Sequence, residues 1–172
     1  MIRKANRGDL DAVEQIYTEM LIHERNGVSY SNWQLGLYPT RETARKALEE
    51  ETLFVLEEEG EICASVILNR EQADFYNEIP WRFEAAPNEV FVIHTLCVPP
   101  SRSGKGCATA LIDFAKEYAA EQDGKVIRLD TYAGNEPAKA LYLKNGFRIA
   151  GTCDSALEGL IPEELALLEY LL

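Results

Sequence analysis

The sequence is poor in metal ligands. Its 172 residues include two histidines, His23 and His94, which supply no HxxxH pair, and four cysteines, Cys63, Cys97, Cys107 and Cys153, too widely spaced for a CxxC clamp. No metal site is expected, and the cysteines, mostly inside apolar runs, read as small reduced thiols. Basic residues are also in deficit, 17 Lys and Arg against 29 Asp and Glu, for a formal charge of −12. Such a surface repels phosphate backbones and anionic leaflets, so neither nucleic acid nor a membrane is expected as a partner. Cationic small molecules and basic peptides are attracted instead. No apolar run approaches the roughly 18 residues of a membrane span, and residues 1–7 carry charges where a secretory signal needs an apolar stretch. A cytoplasmic location is the expectation. Internal repeats, low-complexity stretches and Pro/Gly/Ser-rich linkers are missing too, so residues 1–172 are expected to form one domain.

What is present is a core-forming composition, 47% apolar, with clear periodicities. A short strand near Ile2 to Ala5 precedes a helix with Asp9 at its cap and Leu10, Val13, Ile16, Tyr17, Met20 and Leu21 at helical spacing. After an aromatic, turn-rich stretch from Asn26 to Pro39, Thr40 caps a second helix reaching about Glu50. Strands at Thr52 to Glu58 and Glu61 to Asn69 join through Glu59 and Gly60 as a hairpin. The long connection from Arg70 to Asn88 holds Phe75, Tyr76, Trp81 and Phe83 and is expected to line something. A strand from Val90 to Val98 stops at Pro99 and Pro100. A helix with Ala108, Leu111, Ile112, Ala115 and Ala119 on its buried stripe follows, then a strand at Lys125 to Tyr132. Asn135 caps a short helix, Pro137 occupies its first turn, and Gly146 falls where a left-handed cap is wanted. Phe147 to Thr152 and Glu164 to Leu172 read as closing strands. The order β-α-α-β-β-β-α-β-α-β-β is a mixed α/β arrangement.

Two segments carry chemistry. From Val98 to Ile112 the chain passes from a strand through Gly104 and Gly106 directly into a helix. Glycines there let the main chain approach a ligand, and the first helical amides are unpaired donors at the positive end of the dipole, a cradle for a diphosphate. An ordinary tight turn that needs glycine for its dihedrals explains the same residues. A P-loop does not fit, because Lys105 lies between glycines with no Ser or Thr after it. The dinucleotide fingerprint is met only partly by Gly104, Gly106 and Thr109, with Asp130 near the place of a ribose-binding acid.

The second segment runs from Asp130 to Phe147. Together the two resemble the signature motifs of the GNAT superfamily of acyl-CoA-dependent N-acetyltransferases. Ser103, Gly104, Lys105, Gly106, Cys107 and Ala108 match its glycine turn, and Asn135, Ala138, Leu141, Tyr142, Gly146 and Phe147 match its second motif. The likeness covers roughly Phe91 to Thr152. One departure is Ser103, where the family usually has Arg or Gln. Backbone amides do not depend on that side chain, and Arg102 and Lys105 stand nearby as charge partners for phosphate.

The resemblance implies an α/β fold with a mixed, mostly antiparallel central sheet, flanked by helices, whose parallel middle strands, ending at Val98 and Tyr132, splay to admit acetyl-CoA as co-substrate. It implies cofactor contacts from Leu96, Cys97 and Val98, from the turn through Thr109, and from Asn135, Ala138 and Tyr142. An amine then attacks the thioester directly, with no enzyme nucleophile, and Tyr142 matches the family's proton donor. Asp130, His94 and Glu89 are the candidates for the base; a turn-forming acid, a strand histidine and a solvated strand end are their bland alternatives, and water-mediated deprotonation stays open. The acceptor is expected to be a small-molecule or peptide amine, met by aromatics and acids among His23, Glu24, Tyr30, Trp33, Tyr38, Phe75, Tyr76 and Trp81, of which Tyr30, Trp33, Tyr76 and Trp81 are the substrate-binding choices. The same aromatics could anchor loops or fill an interface, and a homodimer is left open. The alternative classes are a non-catalytic acyl-CoA-sensing domain and a nicotinamide-dependent dehydrogenase.

Overall fold

A computed structural model describes residues 1–172. Its principal elements are β1 (Ile2–Lys4), α1 (Leu10–Asn26), α2 (Arg41–Glu49), β2 (Leu53–Glu58), β3 (Glu61–Asn69), β4 (Val90–Cys97), α3 (Cys107–Glu121), β5 (Val126–Tyr132), α4 (Glu136–Lys144), β6 (Arg148–Leu157) and β7 (Ile161–Leu171). The order is the one the periodicities predict. The seven strands form one sheet in the order β1-β2-β3-β4-β5-β7-β6. The pairs β1–β2, β2–β3, β5–β7 and β7–β6 run antiparallel, whereas β4 and β5 are parallel, with a register that covers Val90–Val92 against Val126–Arg128. No helix is long and apolar enough to cross a membrane.

The chain forms two compact units. The first comprises Met1–Ser29, Trp33–Leu68 and His94–Phe114. Its core packs the inner faces of α1 and α2, through Val13, Ile16, Tyr17, Ala44 and Ala47, against Leu53, Val55, Ile67 and Cys97. Each helical residue in that set repeats at three or four positions, which is why one stripe suffices. The β2–β3 hairpin turns through Glu59 and Gly60, both at positive φ, the geometry a two-residue loop needs to follow strand twist. Thr40 opens α2, and its N–H donates to the Thr43 hydroxyl. Asp9 departs from expectation: the cap here is Asn6, whose side chain accepts from the Gly8 N–H, and a 3-10 turn precedes α1. The Asp9 carboxylate instead takes a two-pronged bond from Arg3, at 2.7 and 3.0 Å, and the Asn6 N–H. Arg3 holds its carboxyl below the usual range.

The second unit comprises Tyr30–Asn32, Asn69–Ile93 and Ala115–Leu172. Its closing hairpin is longer than the sequence suggests, because β6 continues to Leu157 and β7 begins at Ile161. Pro162 and the acids Glu163 and Glu164 hide this. Pro162 is tolerated because it pairs only with Ala156 of β6, whereas the β5 ladder along β7 starts at Leu165. The connection between β3 and β4 lies down on this sheet: Tyr76 and Ile79 pack with Val90, Val92, Leu165 and Leu167.

A buried carboxylate fixes that connection. Glu169 on β7 is fully buried and accepts from the Arg82 N–H at 3.0 Å, the Phe83 N–H at 2.8 Å and Arg148 Nη1 at 2.9 Å. Beside it, Arg128 donates to Gln72 Oε1 and the Phe83 carbonyl and stacks on Trp81, 4.3 Å from the ring centre. Removing Glu169 strands two amides and a cation. Glu169→Ala is expected to destabilise the protein by about 3 kcal/mol, read as a lowered midpoint in urea unfolding.

Candidate active site

In the first unit the site begins on β4. His94 and Leu96 are half-buried while Thr95 and Cys97 are buried, and Thr95 has φ +46°. A β-branched residue seldom adopts that conformation. The Tyr38 hydroxyl hydrogen-bonds the Thr95 hydroxyl and so supports the distortion. A local departure of this kind re-aims main-chain groups next to it, here those of Leu96 to Val98. No pattern in the sequence announces it, since Thr95 sits in an otherwise regular strand.

Past Pro99 a 3-10 turn over Pro100–Arg102 delivers the chain to Ser103, whose N–H donates to the Pro100 carbonyl at 3.1 Å. Gly104 and Gly106 follow at φ +72° and +82°. Glycine is therefore required for the dihedrals, as the tight-turn reading holds. Yet a side chain at either position would meet no heavy atom within 4 Å, so the main chain here also faces open space. The first helical bond of α3 is from the Ala110 N–H to the Gly106 carbonyl at 2.9 Å, which leaves the amides of Cys107, Ala108 and Thr109 without carbonyls inside the helix. That is the donor set a diphosphate needs. Ser103 and Lys105 are exposed beside it. Arg102 is not available in the way its position suggests, because it is drawn onto Glu58 and, at 2.8 Å, Glu61.

The thiols in this region are poor nucleophiles. Burial pushes the Cys97 thiol up to about 12, with Glu24 adding to the effect. Burial, then Glu58, raises Cys107 as well. A thiol held protonated does not attack a thioester, which agrees with a reaction that uses no enzyme nucleophile.

The second unit holds the other motif. Asn135 Oδ1 accepts from the Ala138 N–H at 3.1 Å, capping α4, so that part of its side chain is committed to the fold. Tyr142 is buried on α4 with its ring edge-on to Phe147. Burial first, and then the charge of Asp130, raises its phenol above the ordinary range. The hydroxyl stays protonated, as a donor must. Asp130, near the end of β5, accepts from the Tyr76 hydroxyl at 2.7 Å through Oδ2. Glu89 is a poor base, since Lys125 and the Ala86 N–H hold its carboxyl below the usual range.

The expected aromatic cage is only partly there. Tyr76 is 2% exposed, its ring between Phe75 and Trp81 and its hydroxyl on Asp130. Trp81 is engaged by Arg128 on its face and donates its indole N–H to the Tyr76 carbonyl at 2.8 Å. Tyr76 is thus packed into the fold, and Trp81 is half-buried with Arg128 on its face, contacts with β5 that the sequence could not show. Tyr30 remains 42% exposed. Trp33 lines a cavity of about 370 Å³ in the first unit with Leu21, Arg25 and Leu35, and its ring meets Tyr38 edge-on.

Comparison with known proteins converges on one group. Residues 11–147 match the Acetyltransferase (GNAT) family. Streptothricin acetyltransferase from Escherichia coli is 41% identical over 64 residues, a stretch covering 37% of this chain and 37% of that protein. An uncharacterized N-acetyltransferase, YhfO, from Bacillus subtilis is 24% identical over 146 residues, covering 85% of this chain and 88% of the relative. Among solved structures, YncA from Salmonella typhimurium, determined with its cofactor acetyl-CoA, superposes with a TM-score of 0.71 over 99% of this chain and 92% of its own at 16% identity, a likeness of fold. With the family match extending over most of the chain, from α1 through the Tyr142 helix, the protein belongs to the GNAT acetyltransferase family.

Proposed function

We propose that this protein transfers the acetyl group of acetyl-CoA to a primary amine, of a small molecule or a peptide, by direct attack within a ternary complex. The observation that carries the reading is the turn at Gly104 and Gly106: left-handed backbone, open space where a side chain would lie, and first amides of α3 that have no carbonyl inside the helix. These groups hold the diphosphate of the co-substrate, with Lys105 adding charge, and Leu96, Cys97 and Val98 offer main-chain groups to its acyl arm. A main-chain amide on β4 stabilises the oxygen that becomes negative as the amine adds to the thioester carbon. Asp130 or His94 accepts the proton from the attacking nitrogen. Tyr142 gives its proton to the departing sulfur. Streptothricin, the acceptor in one relative's name, is consistent with an amine and with the negative surface, although that match spans little more than a third of either chain.

Saturating acetyl-CoA is expected to raise thermal stability, by about 2.7 kcal/mol at a hundred times its dissociation constant, whereas NAD leaves the melting temperature unchanged. An amine screen with free-thiol detection then identifies the acceptor. Stabilisation by NAD alone would reject the reading.

Gly106→Val is expected to abolish acetyl-CoA binding in calorimetry. Gly60→Val, at φ +83° with equally open surroundings in the β2–β3 turn, carries the same left-handed strain and is expected to leave affinity intact. Equal losses in both would mean that strain, not obstruction of the cradle, is responsible.

Tyr142→Phe is expected to lower kcat about a hundredfold with acetyl-CoA affinity nearly unchanged. A full-rate variant would remove the proton-donor assignment.

A further inference from the structure

Tyr76 contributes no exposed surface to a substrate, yet it spends its hydroxyl on the one acidic side chain of β5 that the reaction could use. The bond to Asp130 Oδ2 is 2.7 Å, and every other feature of Tyr76 fixes the donor's position. Phe75 and Trp81 hold the ring, with centroids 5.3 and 5.5 Å away. The Trp81 indole N–H is tied to the Tyr76 carbonyl, and Arg128 covers Trp81. The next two residues, Arg82 and Phe83, are clamped by Glu169. A hydroxyl needed only to satisfy a buried ring could have taken water or a backbone carbonyl; this one is delivered to a carboxylate by a braced segment.

We infer that Tyr76 is a positioning residue, which orients the Asp130 carboxylate and favours its ionised form beside Tyr142. The inference deepens the reading above and rests on it. Titratable groups from three other elements face Asp130 as well. Tyr142 of α4, Cys153 of β6 and Glu163 of β7 all feel its charge, and the effect on each is to hold the proton more tightly. Glu163 is itself a carboxylate, steadied by the Asn32 side chain at 2.9 Å. Arg128 is the cation on this side, and it acts on Tyr76. The phenol's bond to Oδ2 favours the charged form of Asp130, so removing it weakens both the hold on that charge and the orientation of the carboxylate.

Tyr76→Phe keeps the ring and its packing and removes one oxygen. With the acceptor found in the amine screen, the expected result is a fall in kcat of roughly tenfold, KM for acetyl-CoA unchanged, and the acid limb of the kcat profile moved about one pH unit upward. A purely structural tyrosine would change the melting temperature and leave the profile in place. The second measurement needs no turnover: the Asp130 side-chain carboxyl, followed by carbon NMR against pH in the whole protein, is expected to titrate about one unit higher in Tyr76→Phe than in the parent. An unmoved titration overturns the positioning role, whether or not the protein acetylates amines. A moved titration in a protein that never releases thiol keeps Tyr76 on Asp130 and rejects only the acetyltransferase mechanism.

Discussion

One fully buried carboxylate governs the geometry of the second unit. Glu169 is the only anion within reach of the Arg82 and Phe83 amides and of Arg148 at the same time, and it lies in the middle strand of the β5-β7-β6 set. Taking a charge out of water is costly, and three directed donors offset that cost only if the segment carrying two of them stays put. The long connection before β4 is thus held in a single arrangement. From it hang Trp81 and Tyr76, and from Tyr76 hangs Asp130. A salt bridge of this kind contributes specificity of position more than stability, and the position it specifies is that of an acid next to Tyr142.

The proposed co-substrate sets the first unit a different problem, how a chain with a net charge of −12 can hold a polyanion. Formal charge does little of the work at the glycine turn, where Arg102 is given over to Glu58 and Glu61. Main-chain amides carry no formal charge and need no counterion, and the dipole of α3 adds to them over the first turn. Repulsion from the distant acids is screened over about 8 Å at physiological ionic strength, whereas amides act at contact. The excess acid is therefore compatible with a diphosphate held by backbone, and its sign suits the amine proposed as acceptor.

Local signals in the sequence carried most of the fold. Helical stripes, the Glu59-Gly60 turn, the Asn135 cap and the left-handed Gly146 each depend on residues within a few positions, so element order follows from them. Where partners come from far along the chain, reading fails. The last strand begins at Ile161 rather than Glu164 because β6 pairs along it, and the Tyr76 hydroxyl meets Asp130, 54 residues away, whereas Asp9 fails as a cap for a local reason, since Arg3 and Asn6 take its carboxylate. The site was legible in the same measure. Glycines and Tyr142 are fixed by motif spacing, but the positive φ of Thr95 and its support from Tyr38 have no trace in composition or period.

The raised phenol of Tyr142 sharpens what a proton donor must do on the proposed path. A phenol titrates ordinarily near 10 and a thiol near 8.5, so in water a tyrosine protonates a thiolate only against the gradient, and burial makes Tyr142 a weaker acid still. The same desolvation acts on sulfur. Cys97 shows the same direction in this fold, its thiol pushed up to about 12 by burial. Desolvation therefore acts in the same direction on both partners of the proposed transfer, so burial of Tyr142 does not by itself set it against the departing sulfur. The proposed path therefore asks of Tyr142 a shared exclusion of water rather than unusual acidity, and burial likewise holds the thiols of Cys97 and Cys107 in their protonated form.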